Sequence, residues 1–97
     1  MKIVGRQKLL ACAQAHQEAR HALAAWLWEV EAAHWVQAED VQRRFPSVEI
    51  AGAQVLFWLC QRHYRVEARL SYGAQILLIQ GVTKMTETLG LFDGEGS

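Results

Sequence analysis

Between Tyr64 and Tyr72 the chain alternates strictly. Tyr64, Val66, Ala68, Leu70 and Tyr72 share one parity, and Arg65, Glu67, Arg69 and Ser71 share the other. Successive side chains of a strand point to opposite sides, so a period of two marks a strand with one face in a core and one in water. Two further strand-like runs flank it, Gln54–Cys60 and Gln75–Lys84. The breaks between them are Gln61-Arg62-His63 and Gly73-Ala74, and the second has the glycine and the two-residue length of a hairpin turn. A three-stranded antiparallel unit is therefore expected, with an apolar face that needs cover and an opposite face that carries arginines.

The cover comes from upstream. Met1–Gly5 is β-prone through Ile3 and Val4 and is expected to add an edge strand. From Gln7 to about Ala33 there is no Gly or Pro, and Ala, Leu, Gln, Glu and Arg dominate, so helix propensity is high throughout. That length exceeds one typical helix and predicts two, meeting in a turn around His16-Gln17. Ala19, Leu23, Trp26, Leu27 and Val30 recur at three and four residues, an apolar stripe to pack on the sheet, and Trp28 falls off it. Trp35 reads as a core plug. Glu39–Phe45 reads as a short helix stopped by Pro46, and Ser47–Ala53 as a crossing loop with Gly52 at its turn. Met85–Gly90 is either a last helical turn or a strand end, and three glycines and two acids make Gly90–Ser97 a frayed tail. The expected fold class is α+β: a small, mostly antiparallel sheet covered on one face by N-terminal helices. One domain over residues 1–90 and a tail over 91–97 account for the chain.

Composition excludes more than it selects. Ninety-seven residues, 52 % hydrophobic and 21 % charged, suit a single globular core. The formal net charge is zero, so no whole-molecule field favours nucleic acid. From Val41 to Lys84, however, six basic residues (Arg43, Arg44, Arg62, Arg65, Arg69, Lys84) face two acidic ones (Glu49, Glu67), which makes the sheet half locally basic. Cys12 and Cys60 have no CxxC or Cys/His spacing, so they read as reduced core thiols rather than a zinc site or a disulfide framework. His16, His21 and His34 lack metal spacing and read as structural. Met1–Arg6 charges too quickly for a signal peptide, and no apolar run approaches the roughly 20 residues of a membrane helix. A cytoplasmic protein without metal or small-molecule cofactor is expected.

No phosphate loop, dinucleotide fingerprint, zinc-protease motif or nucleophile elbow occurs, so function has to come from the polar sheet face. Arg65 and Arg69 are four apart on one strand face, roughly 13 Å at about 3.3 Å per residue. That is a phosphate-scale separation on a nucleic-acid strand, and Arg62 at the adjoining turn extends the patch. Guanidinium forks suit phosphate and bind without reading sequence. The alternative is a solvated salt-bridge row with Glu67 between them. An imidazole's unperturbed pKa lies near neutrality, so His63 is either a proton carrier for ribose-phosphate cleavage or a plain turn histidine. Lys84 closes the last strand and is a candidate second cation for the same face. Tyr64 and Tyr72 belong to the apolar face. Trp58 lies opposite Phe57, and if its face is the arginine face it can stack on a base.

These residues carry a resemblance. The opening Lys2-Ile-Val-Gly-Arg6, the Leu23-x-x-Trp26-x-x-Glu29 helix, Trp35, Asp40-Val41, Val55-x-Phe57, Tyr64-Arg65-Val66, Ile76-x-x-Ile79 and Val82 together resemble the HigB family of bacterial type II toxins, relatives of the RelE fold. The resemblance implies an mRNA endoribonuclease acting on ribosome-bound message, and a cognate HigA-like helix-turn-helix antitoxin as partner. Only Arg65 carries over by direct match. Relatives have a basic residue where this chain has Cys60, an asparagine where it has Arg62, and a basic residue where it has Gln80. Their closing His and Tyr are Met85 and Thr88 here, with only Glu87 kept. Activity is then expected to rest on Arg62, His63, Arg65, Arg69 and Lys84. The alternatives are a non-catalytic relative that binds its antitoxin or RNA without cutting, and an unrelated interaction module using Trp28 and the Trp58 face.

Overall fold

The computed structural model describes residues 1–85. Strand β1 (Lys2–Val4) leads into helix α1 (Arg6–Ala15), a 3-10 turn (Gln17–Ala19), α2 (Arg20–Ala32) and α3 (Ala38–Arg44). Strands β2 (Glu49–Ala51), β3 (Gln54–Leu59), β4 (Tyr64–Ser71) and β5 (Ile76–Lys84) follow. They form one sheet in the order β1-β5-β4-β3-β2, antiparallel except for the β1–β5 pair. The fold is α+β, as expected, and the three long strands and the helix break at His16 lie where the sequence puts them. No helix among the described residues is long and apolar enough to cross a membrane.

The inward face of the sheet and the helices share one core. Leu9, Ala19, Leu23, Trp26 and Val30 pack from the helices onto Ile3, Val55, Phe57, Val66, Ala68, Leu77 and Ile79. Leu27, the remaining member of the stripe, is only partly buried against this core. Phe57 is the hub of its aromatic part, edge-on to Trp26 (5.1 Å between centroids) and Phe45 (5.4 Å) and stacked at 6.3 Å with Trp35, the expected plug. Such pairs add to simple area burial and fix side-chain geometry. Gly5 joins β1 to α1 at φ 91°, and a Cβ there would lie 2.8 Å from the Ile79 carbonyl oxygen, so the junction admits only glycine.

Three local expectations are corrected. Ser47–Ala53 is not merely a crossing loop: Glu49–Ala51 is a strand, paired antiparallel to β3 as Glu49↔Leu56 and Ala51↔Gln54, with Gly52 (φ 63°) opening a two-residue hairpin loop. Three residues are too few for a period to show. The β4–β5 loop spans Tyr72–Gln75 rather than Gly73-Ala74, because Ser71 pairs with Ile76. Its left-handed residue is Gln75 (φ 57°), whose side-chain amide donates to the carbonyls of Trp35 (2.6 Å) and Tyr72 (2.8 Å). Finally, β5 contains a bulge: Ala68 pairs with Ile79 but Glu67 pairs with Gly81, which leaves Gln80 as an extra residue. The readings made for Glu87, Thr88 and the 91–97 tail lie outside the described residues.

Candidate functional site

The helices leave the other face of the sheet open. Cross-strand pairing fixes what it presents: Trp58 is opposite Arg65, Leu56 opposite Glu67, and Gln54 opposite Arg69. The condition set on Trp58 is thus met, since it shares the arginine face. Arg62, from the turn beyond β3, lays its guanidinium over the Trp58 ring at 4.5 Å, and the Arg65 guanidinium lies 6.0 Å from the same centroid. An aromatic ring with two cations near it gains from the ring quadrupole.

The turn that delivers Arg62 is unusual. Cys60, Gln61 and Arg62 have φ of 53°, 55° and 70° in succession, and none is glycine. Non-glycine residues held in the left-handed region cost of order 1–3 kcal/mol each and cluster where a side chain must be aimed. A hydrogen bond from the His63 N–H to the Cys60 carbonyl closes the loop at 3.0 Å. His63 itself is exposed at the end of the face, two residues before Arg65.

Acids hold the cations in the free protein. Arg65 pairs with Glu67 at 3.0 Å, as the salt-bridge reading expects, while its buried Nε donates to no described residue. Arg62 pairs with Glu49 at 3.3 Å, and the Trp58 indole N–H donates to the same Glu49 oxygen at 2.9 Å. Arg69 makes no ion pair among the described residues and borders a hollow of about 400 Å³ with Ser71, Ile76 and Leu78. Gln80, which follows inward Ile79 and points outward, accepts a hydrogen bond from Gln54. Glu49 is the site residue that sequence reasoning missed, because it rides on the unrecognised β2. The hairpin signal was there, in Ala51-Gly52-Ala53-Gln54.

Lys84 does not join this face. It pairs with Tyr64 across the strands and so points to the helix side, where its ammonium donates to Glu18 at 3.2 Å. Plain alternation from Ile79 would put it outward; the extra Gln80 reverses the parity. The Tyr64 hydroxyl donates to the same Glu18 oxygen, and the His16 ring lies 5.8 Å from Tyr64. The Tyr64 hydrogen bond, with help from Lys84, lowers the Glu18 carboxyl to about 2. Burial, then Glu18, raises the Tyr64 phenol. Burial also raises Cys12 and Cys60, which are free thiols at the core margin and poor nucleophiles. No three metal-ligating side chains converge among the described residues.

The helix layer offers less chemistry. An apolar groove of about 350 Å³ between α1 and α2 is lined by Leu9, Leu10, Ala13 and Leu27, with Arg20 its one charged residue. Trp28, off the core stripe as expected, is 73 % exposed.

A search of curated proteins brings no match. A family model described as HigB_toxin, the RelE-like toxic component of a toxin-antitoxin system, matches residues 19–87, from the 3-10 turn past the end of β5. That range contains the whole arginine face, and membership implies an antitoxin partner. The chain belongs to the HigB toxin family.

Proposed function

We propose that this chain is the mRNA-cleaving component of its toxin–antitoxin pair, acting on ribosome-bound message through the open face of the sheet. The observation that carries this is the convergence of Arg62 and Arg65 on the Trp58 ring, in a chain of this family. A stacking ring flanked by guanidinium groups is what an unpaired base and its phosphates require. Arg69 lies four residues along the strand, for a neighbouring phosphate.

In the reaction the ribose 2′-hydroxyl attacks the adjacent phosphorus. The O2′–P bond forms as the P–O5′ bond breaks, leaving a 2′,3′-cyclic phosphate and a 5′-hydroxyl. His63 relays the proton from the 2′-oxygen to the departing 5′-oxygen. Arg65 stabilises charge that grows on the phosphoryl oxygens. Lys84 takes no part, since Glu18 holds it across the sheet. The scheme uses no metal or cofactor. The partner is read as a HigA-like helix-turn-helix antitoxin that keeps the toxin from the message.

The test is induced expression of wild type, Arg65→Ala and an Arg62/Arg69 double alanine, with growth curves and primer extension on a reporter transcript. Growth arrest with new transcript ends, relieved by the arginine changes in folded protein, is the expected result. A second reading, binding without cleavage, draws on Met85 standing where relatives carry histidine. Normal growth and intact transcripts with soluble wild-type protein would favour it.

A further inference from the structure

Two donors from different parts of the chain aim at one oxygen. The Trp58 indole N–H (2.9 Å) and the Arg62 guanidinium (3.3 Å) both reach Oε2 of Glu49. Arg62 is also stacked on the Trp58 ring, so the two donors hold each other in place. A rigid N–H beside a guanidinium, converging on one anionic oxygen, is the donor set of a phosphate site. The anion now in it is a side chain on β2, whose pairing with β3 brings Glu49 beside Leu56, two residues from Trp58. Glu49 is 54 % exposed at its side chain and Arg62 57 %, so the pair sits in water and is cheap to open.

We propose that Trp58 and Arg62 form a phosphodiester subsite that Glu49 occupies in the free protein, and that an RNA phosphate binds there by displacing the Glu49 carboxylate. This rests on the reading of the sheet face as RNA-binding. Glu49 then acts as a selectivity element. An isolated anion must compete with a tethered carboxylate of high local concentration, whereas an RNA strand already held at Arg65 and Arg69 brings its phosphate at comparable local concentration. In the free protein Arg62 is neutralised by Glu49, and strands long enough to span the subsites are favoured over short ones.

The experiment is fluorescence anisotropy with labelled single-stranded RNA about three and about ten nucleotides long. Wild type, Glu49→Gln, Arg62→Ala, the double variant, Trp58→Phe and the charge control Glu39→Gln are compared, with circular dichroism as the folding check. An exposed pair of this kind contributes up to about 1 kcal/mol, so Glu49→Gln should tighten RNA binding by about two- to fivefold. The gain should be larger for the short strand. It should vanish in the Arg62→Ala background, and Glu39→Gln should not reproduce it. The indole proton resonance of Trp58, identified by its loss in Trp58→Phe, should move in the same direction on Glu49→Gln as on addition of the longer RNA to wild type. Wild-type binding with no gain from Glu49→Gln, or an equal gain from Glu39→Gln or without Arg62, overturns the subsite and leaves the RNA-binding face standing. Absence of binding by wild type and Glu49→Gln alike overturns both.

Discussion

The two faces of β3 and β4 are built on opposite rules. Inward, Val55, Phe57, Tyr64, Val66, Ala68 and Leu70 are all nearly inaccessible to solvent, and each is fixed by neighbours from the helices or the adjoining strands. Outward, Gln54, Trp58, Arg65, Glu67 and Arg69 are half-buried or exposed, with Arg65 held sideways by Glu67 at 3.0 Å and the Trp58 indole by Glu49 at 2.9 Å. Burial contributes several kcal/mol per large side chain, whereas an exposed ion pair contributes about 0–1 kcal/mol. The inward face therefore decides that there is a sheet. The outward face is released from that duty, and its pairs can be exchanged for a ligand at little cost to the fold.

Breaking the inward face should have the largest effect. Phe57→Ala removes the ring that Trp26, Trp35 and Phe45 all meet, and should lower unfolding free energy in urea by about 3–5 kcal/mol. Gly5→Ala tests the seam between β1 and β5. It meets both an unfavourable φ and the Ile79 carbonyl, and should cost about 1–3 kcal/mol in the same assay. Arg65→Ala sharpens the contrast from the other side. Denaturation should shift by less than about 1 kcal/mol, while RNA affinity falls about tenfold or more, the loss expected for a charge-assisted phosphate contact. Equal damage to stability and binding would show that the two faces are not separable. Gln80→Arg adds a cation to the outward face next to Gln54 and should tighten RNA binding by a few fold without a change in midpoint.

The smallest effect lies at the sheet's end, on the helix side. Glu18 has its folded value lowered to about 2 from an ordinary 4.5, so its contribution to stability is present above about pH 4.5 and is lost as pH falls towards 2. Glu18→Gln should flatten stability against pH within that window only. An unchanged acid limb would remove the Tyr64–Glu18–Lys84 cluster from the account of acid sensitivity.

What could be read from the sequence follows the same division. The alternation from Tyr64 to Leu70 and the 19/23/26/30 stripe report burial, which is repetitive, so strands, helices and core were legible. Tyr72, which continued the alternation in sequence, lies in the loop and is only half-buried. The outward face is specified by pairings between distant segments, and no local period encodes those. Glu49 came to Trp58 through a three-residue strand, and Lys84 was lost to the other side through one unpaired residue. Trp58 could be placed only conditionally, because both sides of its strand are apolar.

The bulge at Gln80 also bears on how such a face changes by descent. Beyond it, Val82 and Lys84 point inward and Thr83 outward. Loss of the single codon for residue 80 would close the bulge and leave all three facing as they do, whereas the same letters paired without a bulge would reverse all three at once, turning a lysine towards Arg65 and a valine into water. Homologous positions on this strand can thus lie on opposite sides of the sheet in two members that align without a gap, where one keeps the bulge and the other does not. A comparison of their cations by sequence column alone would then pair residues that never share a surface.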